Sequence, residues 1–131
     1  MRMKCNKYKE ESRLLRIFVW NCQTLNIQQK AIRKKKIIHI LKIVNNYFPE
    51  LVFIIDAARV YNIGGNYDSY FDGRNILFVR RDIKTEIIIG NEENWMEITN
   101  LRLGFIYIPP NTYNYKKVTE KLLSWQIKNY N

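Results

Sequence analysis

A chain of 131 residues and 15.9 kDa suffices for one domain and leaves little room for a second. A hydrophobic share of 47% and an aromatic share of 14% exclude a wholly disordered chain, because that much apolar surface supports a core. With 22 lysines and arginines against 12 acids, the formal charge of +10 points to a polyanionic partner, nucleic acid ahead of an anionic membrane surface. Residues 1–13 are polar and basic without a repeating apolar face and read as a flexible arm, and 14–131 read as a single α/β domain. Leu14-Leu15-Arg16-Ile17-Phe18-Val19-Trp20 is nearly continuous in apolar residues, as expected of a strand buried on both faces. From Gln28 to Phe48 the apolar positions Ile37, Ile40, Leu41, Val44 and Phe48 recur at helical spacing. Lys35, Lys36, His39, Lys42 and Asn46 share the opposite face, which predicts an amphipathic helix with a basic outside. Pro49 ends that helix, and Leu51-Val52-Phe53-Ile54-Ile55 follows as a second buried run closing at Asp56. A strand–helix–strand unit normally lays its strands parallel, so Asn21 and Asp56 should emerge at one edge of the sheet.

Gly64-Gly65-Asn66 and Phe71-Asp72-Gly73 are turn signals that bracket a short aromatic segment, Tyr67 to Phe71. Asn75 to Val79 and Glu86 to Ile89 read as an antiparallel pair across Arg80-Arg81-Asp82. Leu101 to Ile108 reads as the last strand, closed by Pro109-Pro110, and 115–128 as a weaker helix with Val118, Leu122 and Trp125 on one face. No window approaches the roughly 20 apolar residues of a membrane span, and the start lacks the apolar core of a signal peptide, so an intracellular protein is expected. Cys5 and Cys22, with His39 as the single histidine, make neither a disulfide framework nor a zinc cluster and suit a reducing compartment.

Arg33, Lys34, Lys35 and Lys36 form an unbroken basic run, Lys42 lies on the same helix, and no acid occurs from Ala31 to Pro49. With Arg80 and Arg81 they are the candidate contacts to nucleic-acid phosphates. An ordinary solvated helix face, or lysine enrichment from an AT-rich coding genome, is the bland account of the same charges. Tyr67, Tyr70 and Phe71 offer rings that either stack on bases or pack in the core.

The ordered series Trp20-Asn21, the basic helix, Pro49-Glu50-Leu51-Val52-Phe53-Ile54-Ile55-Asp56, Asp72-Gly73-Arg74-Asn75-Ile76-Leu77-Phe78 and Tyr107-Ile108-Pro109-Pro110-Asn111 resembles one family. It is similar to the amino-terminal half of the endonuclease/exonuclease/phosphatase superfamily, and most like the endonucleases of LINE-type retrotransposons. The resemblance runs from about Arg16 to Leu123. It implies a mixed β-sheet with flanking helices, half of a four-layer sandwich. It also implies that Asn21 and Asp56 hold Mg2+ at a scissile phosphate, with Asp56 standing where family members carry glutamate. Tyr107 takes the place of the tyrosine beside the cleaved phosphate, and Asn111 that of the asparagine in a Tyr-X-Pro-Asn motif which here has an extra proline.

The family's second half supplies an Asp-X-Asn pair and a final Asp-His, whereas after Pro110 this chain has one acid, Glu120, and no histidine. Loss of a general base and of transition-state stabilisation removes orders of magnitude in rate. The expectation is therefore a truncated, non-catalytic domain that binds RNA or DNA, as a structural component of a ribonucleoprotein. Two rivals stand beside it: half of a magnesium-dependent endonuclease completed by a second chain, and a protein interaction module. Half of a two-sheet sandwich also predicts an uncovered apolar sheet face, to be masked by the helix around Trp125, a second copy or a larger assembly.

Overall fold

The computed structural model describes residues 15–22, 30–57, 60–90, 95–107 and 115–130. The basic arm, the Pro109-Pro110 segment and Asn111 lie outside them. Among the described residues the chain is a mixed α/β protein with two sheets and two helices. Strand β1 (Ile17–Asn21) leads to helix α1 (Lys30–Tyr47) and strand β2 (Leu51–Ile55), and β1 pairs parallel to β2 from Ile17↔Leu51 to Asn21↔Ile55. Strands β3 (Tyr67–Phe71) and β4 (Ile76–Arg80) complete the sheet in the order β1-β2-β4-β3, with β4 antiparallel to both neighbours.

A second sheet is antiparallel throughout, in the order β5 (Ile87–Gly90), β6 (Trp95–Ile98) and β7 (Leu103–Ile106). Helix α2 (Tyr115–Tyr130) follows.

Side-chain alternation explains the layering. Val52, Ile54, Ile76 and Phe78 face one side of the first sheet and pack with Ile40 and Val44 of α1, while Leu51, Phe53, Leu77 and Val79 face the other and pack with Met96, Ile98 and Phe105 of the second sheet. Both β2 and β4 are thus buried on both faces, as their uninterrupted apolar runs require. On the far side of β6, Trp95 meets Trp125 of α2 edge to face at 6.0 Å between ring centroids. The order is helix, four-stranded sheet, three-stranded sheet, helix.

Several expectations are corrected. β4 and β5 do not pair with each other: β4 lies between β2 and β3, and β5 pairs with β6 in the other sheet. The last strand begins at Leu103 rather than Leu101, because Thr99–Leu101 form a 3-10 turn and Arg102 takes a left-handed φ of 55° before β7. The apolar face is covered by the second sheet of the same chain, not by the Trp125 helix, which packs one layer further out. Contrary to expectation, β1 is not buried on both faces: it is an edge strand with one face open, Ile17 at 40% and Val19 at 52% exposure. Leu122 is exposed rather than packed, and the side chain of Val118 lies outside the described residues. No helix among the described residues is long and apolar enough to cross a membrane.

Candidate functional site

The parallel pairing brings the ends of β1 and β2 to one edge, where Asn21 stands opposite Ile55 and Asp56 follows directly. Cys22, buried beyond β1, ties the two ends: its amide donates to the Ile55 carbonyl at 3.2 Å, and its Sγ donates to the Ile55 carbonyl at 3.2 Å and contacts that of Asp56 at 3.7 Å. The Lys36 ammonium donates to the Cys22 carbonyl. Lys36 is therefore half-buried at the strand edge rather than on the outer face of α1, and it fixes the amino-terminal half of α1 beside this edge.

Asp56 itself is in the left-handed region, with φ 61°, a conformation that aspartate tolerates better than most residues. The turn Asp72-Gly73-Arg74-Asn75 holds it there. One Asp72 carboxylate oxygen accepts the amides of Arg74 at 2.9 Å and Asn75 at 2.7 Å, and the other accepts from Asn75 Nδ2 at 3.1 Å. Gly73 supplies the positive φ of 100°. Asn75 Oδ1 in turn accepts the Asp56 amide at 2.9 Å, and the Arg74 carbonyl accepts the Ala57 amide at 2.7 Å. Asn75 is fully buried, so Asn75→Ala orphans the Asp56 amide and is expected to cost about 2 kcal/mol of stability. Urea denaturation tests this; a loss below about 0.5 kcal/mol would show that the amide finds another partner.

The same turn delivers Arg74 to the edge. Its Nε lies 3.9 Å from Asp56 Oδ1, and its guanidinium carbon lies 5.6 Å from the centre of the Tyr107 ring, within cation–π range. Tyr107, just past the end of β7, is half-buried. Asp56 and Tyr107, marked separately in the sequence, thus meet through Arg74, which the sequence reading passed over. The Asp-Gly-Arg-Asn turn pattern was the signal that could have found it.

The remaining candidates are scattered. Lys34, Lys35 and Lys42 are exposed on α1, Arg33 is half-buried there, and no acid on that helix balances them. Arg81 is exposed and paired with Asp68 at 3.0 Å. Arg80 is corrected from a phosphate contact to an internal ion pair. Its side chain is 7% exposed and grips both Asp82 oxygens, at 2.6 and 2.9 Å, as well as the Phe48 carbonyl at 2.6 Å. It also lies 3.6 Å from Glu50. Tyr67 is buried and donates its hydroxyl to the Pro49 carbonyl at 2.6 Å, while Tyr70 and Phe71 join the two cores, so all three rings serve packing. His39 is exposed with its ring edge against Trp20 at 5.3 Å.

The donor set at the edge is poor for a divalent cation. Among the described residues no three histidine, cysteine, aspartate or glutamate side chains come together as a metal group. Asp72 already accepts three N–H bonds, and Asp56 faces a guanidinium. Magnesium keeps several waters and is commonly held by one or two carboxylates, but the carboxylate at this edge, Asp56, has the Arg74 guanidinium 3.9 Å away, so the residues fit the ion poorly. No protein-family model, curated protein or solved structure matches the chain.

Proposed function

We propose that the chain is a non-catalytic, nuclease-like domain that binds nucleic acid through the first turns of α1 and the adjoining strand edge, as part of a ribonucleoprotein. The observation that carries this reading is the position of the charge. Lys30, Arg33, Lys34, Lys35 and Lys36 crowd the first two turns of α1, which hold no acid. The helix macrodipole is positive at that end, so cations there weaken the helix, whereas a bound anion is stabilised by both the lysines and the dipole. A face evolved only for solvation has no reason to concentrate its charge where helix electrostatics oppose it. The parallel β1–β2 pair, with Asn21 and Asp56 at its one edge, supports the resemblance to a phosphodiesterase half.

Fluorescence anisotropy with a labelled RNA and a DNA duplex tests the reading. The logarithm of affinity is expected to fall linearly with the logarithm of salt concentration, and Lys34→Gln with Lys35→Gln to lower affinity about tenfold and the slope by about 2. Affinity indifferent to salt would sink the reading. A supercoiled plasmid should stay intact with magnesium; nicking that Asp56→Ala abolishes would favour the enzymatic reading instead.

The exposed strip of β1 favours a second reading, a protein interaction module. Ile17 and Val19 lie on an edge strand that has no outer neighbour among the described residues. Sedimentation as a monomer at all accessible concentrations would count against it.

A further inference from the structure

We propose that the edge formed by Asn21, Lys36, Asp56, Arg74 and Tyr107 is a metal-independent phosphate site, with the Arg74 guanidinium as the cation that meets the phosphate. The inference rests on the nucleic-acid reading for the source of the phosphate, but its chemistry is local. An anion site needs fixed positive charge within reach of solvent, and Arg74 supplies it with 42% of its side chain exposed. Two contacts hold the guanidinium in place: Asp56 Oδ1 at 3.9 Å from Nε, and the Tyr107 ring 5.6 Å from the guanidinium carbon. A guanidinium carries five N–H donors in a planar fork, so the Asp56 contact leaves donors for the two oxygens of a phosphate.

Lys36 provides a second positive charge on the helix side of the same edge, anchored on the Cys22 carbonyl. Cys22 joins the two flanks, because its Sγ reaches the Asp56 carbonyl at 3.7 Å. The two cations thus bracket the ends of β1 and β2, and Asn21 is exposed at that edge. The edge at the carboxyl ends of parallel strands is also where α/β sheets commonly bind ligands.

The disagreement with a magnesium site follows from the same residues. A divalent cation placed on Asp56 is repelled by Arg74 and finds no third acidic ligand among the described residues. Asp56 therefore acts as a positioning residue for the guanidinium.

Three measurements on the 131-residue chain test the proposal. A labelled DNA oligonucleotide is expected to bind no more tightly in magnesium than in EDTA at matched ionic strength. Arg74→Gln is expected to weaken it about tenfold, and Arg74→Lys to recover only part of the loss, because the charge returns without the fork. Inorganic phosphate is expected to shift the NMR signal of the Arg74 Nε–H. Manganese ions should not selectively broaden the amides of Asn21 and Asp56. Selective broadening there overturns the proposal, as does an Arg74→Gln variant that binds oligonucleotide and phosphate like the parent. A phosphate response at Arg74 without oligonucleotide binding upholds the site and overturns the nucleic-acid reading alone.

Discussion

Replacing Arg80 with alanine is expected to cost about 3–5 kcal/mol of unfolding free energy, the penalty typical of breaking a buried ion pair from one side. Three groups depend on this guanidinium. Glu50, 1% exposed, has Arg80 at 3.6 Å as one of its two cationic neighbours, Arg16 being the other at 2.9 Å. The Phe48 carbonyl accepts from Arg80 at 2.6 Å, and the Phe48 ring lies under the guanidinium at 4.4 Å. That carbonyl belongs to a non-glycine residue held at φ 44° where α1 stops before Pro49, and a strained backbone of this kind persists only where its surroundings enforce it. Arg80→Lys should recover little, since lysine cannot span both Asp82 oxygens and the carbonyl together. The measurement is the urea midpoint at constant m-value; a loss under about 1 kcal/mol would mean that Arg16 and water suffice.

The same network sets an acid limit. Burial pushes the Glu50 carboxyl up, but the Arg16 amide and guanidinium, with Arg80 behind them, more than reverse this and hold it below the ordinary glutamate value of 4.5. A carboxyl with a depressed folded-state pKa contributes stability above its unfolded pKa and loses it as pH falls through the folded one. Glu50→Gln should therefore be most destabilising at neutral pH, and its gap from the parent should close as pH drops below 4.5. Tyr67 mirrors this on the alkaline side. Burial raises its phenol above 10.0, so the stability it lends the folded state is present below that pH and fades above it.

Legibility in the sequence followed the strength of periodic signals. β1, α1 and β2 were readable because an apolar run, a helical repeat and a second run leave few alternatives, and α1 spans Lys30–Tyr47 where Gln28 to Phe48 was expected. β4 was found but given the wrong partner. Adjacency suggested a hairpin with the next strand, whereas a strand apolar on both faces has to sit inside a sheet, and only β2 and β3 supply neighbours for that. β6 was missed because Glu97 interrupts Trp95-Met96-Glu97-Ile98. In the fold that glutamate is 5% exposed and accepts the Trp95 indole N–H at 3.1 Å. At the edge, the convergence of Asn21 and Asp56 followed from the strand–helix–strand unit and Tyr107 came from the resemblance, while Arg74 and Asn75 carry no mark of their own outside the turn they belong to. Arg80 was misassigned by its neighbour Arg81, although alternation from Ile76 and Phe78 already puts it on the face under α1.

Gly104→Ala is expected to cost about 2–3 kcal/mol, although alanine is ordinarily the mildest replacement for glycine in a strand. The reason is the Trp95 ring, which crosses β7 diagonally. A Cβ at position 104 would stand 2.6 Å from its Cη2 and 2.8 Å from its Cζ2, closer than carbon atoms approach. The ring has nowhere to retreat, because its N–H is held by Glu97, Trp125 abuts it at 6.0 Å and the Lys121 ammonium lies 5.6 Å from its centre. The strain therefore passes into β7, which leads within three residues to Tyr107 and so to Arg74. Trp95→Phe removes the colliding atoms, so in that background Gly104→Ala should cost less than about 1 kcal/mol. A double-mutant cycle by urea denaturation gives the coupling directly. Near-additive costs would mean that the indole moves freely over the strand, and an unchanged oligonucleotide affinity in Gly104→Ala would separate β7 from the Arg74 edge.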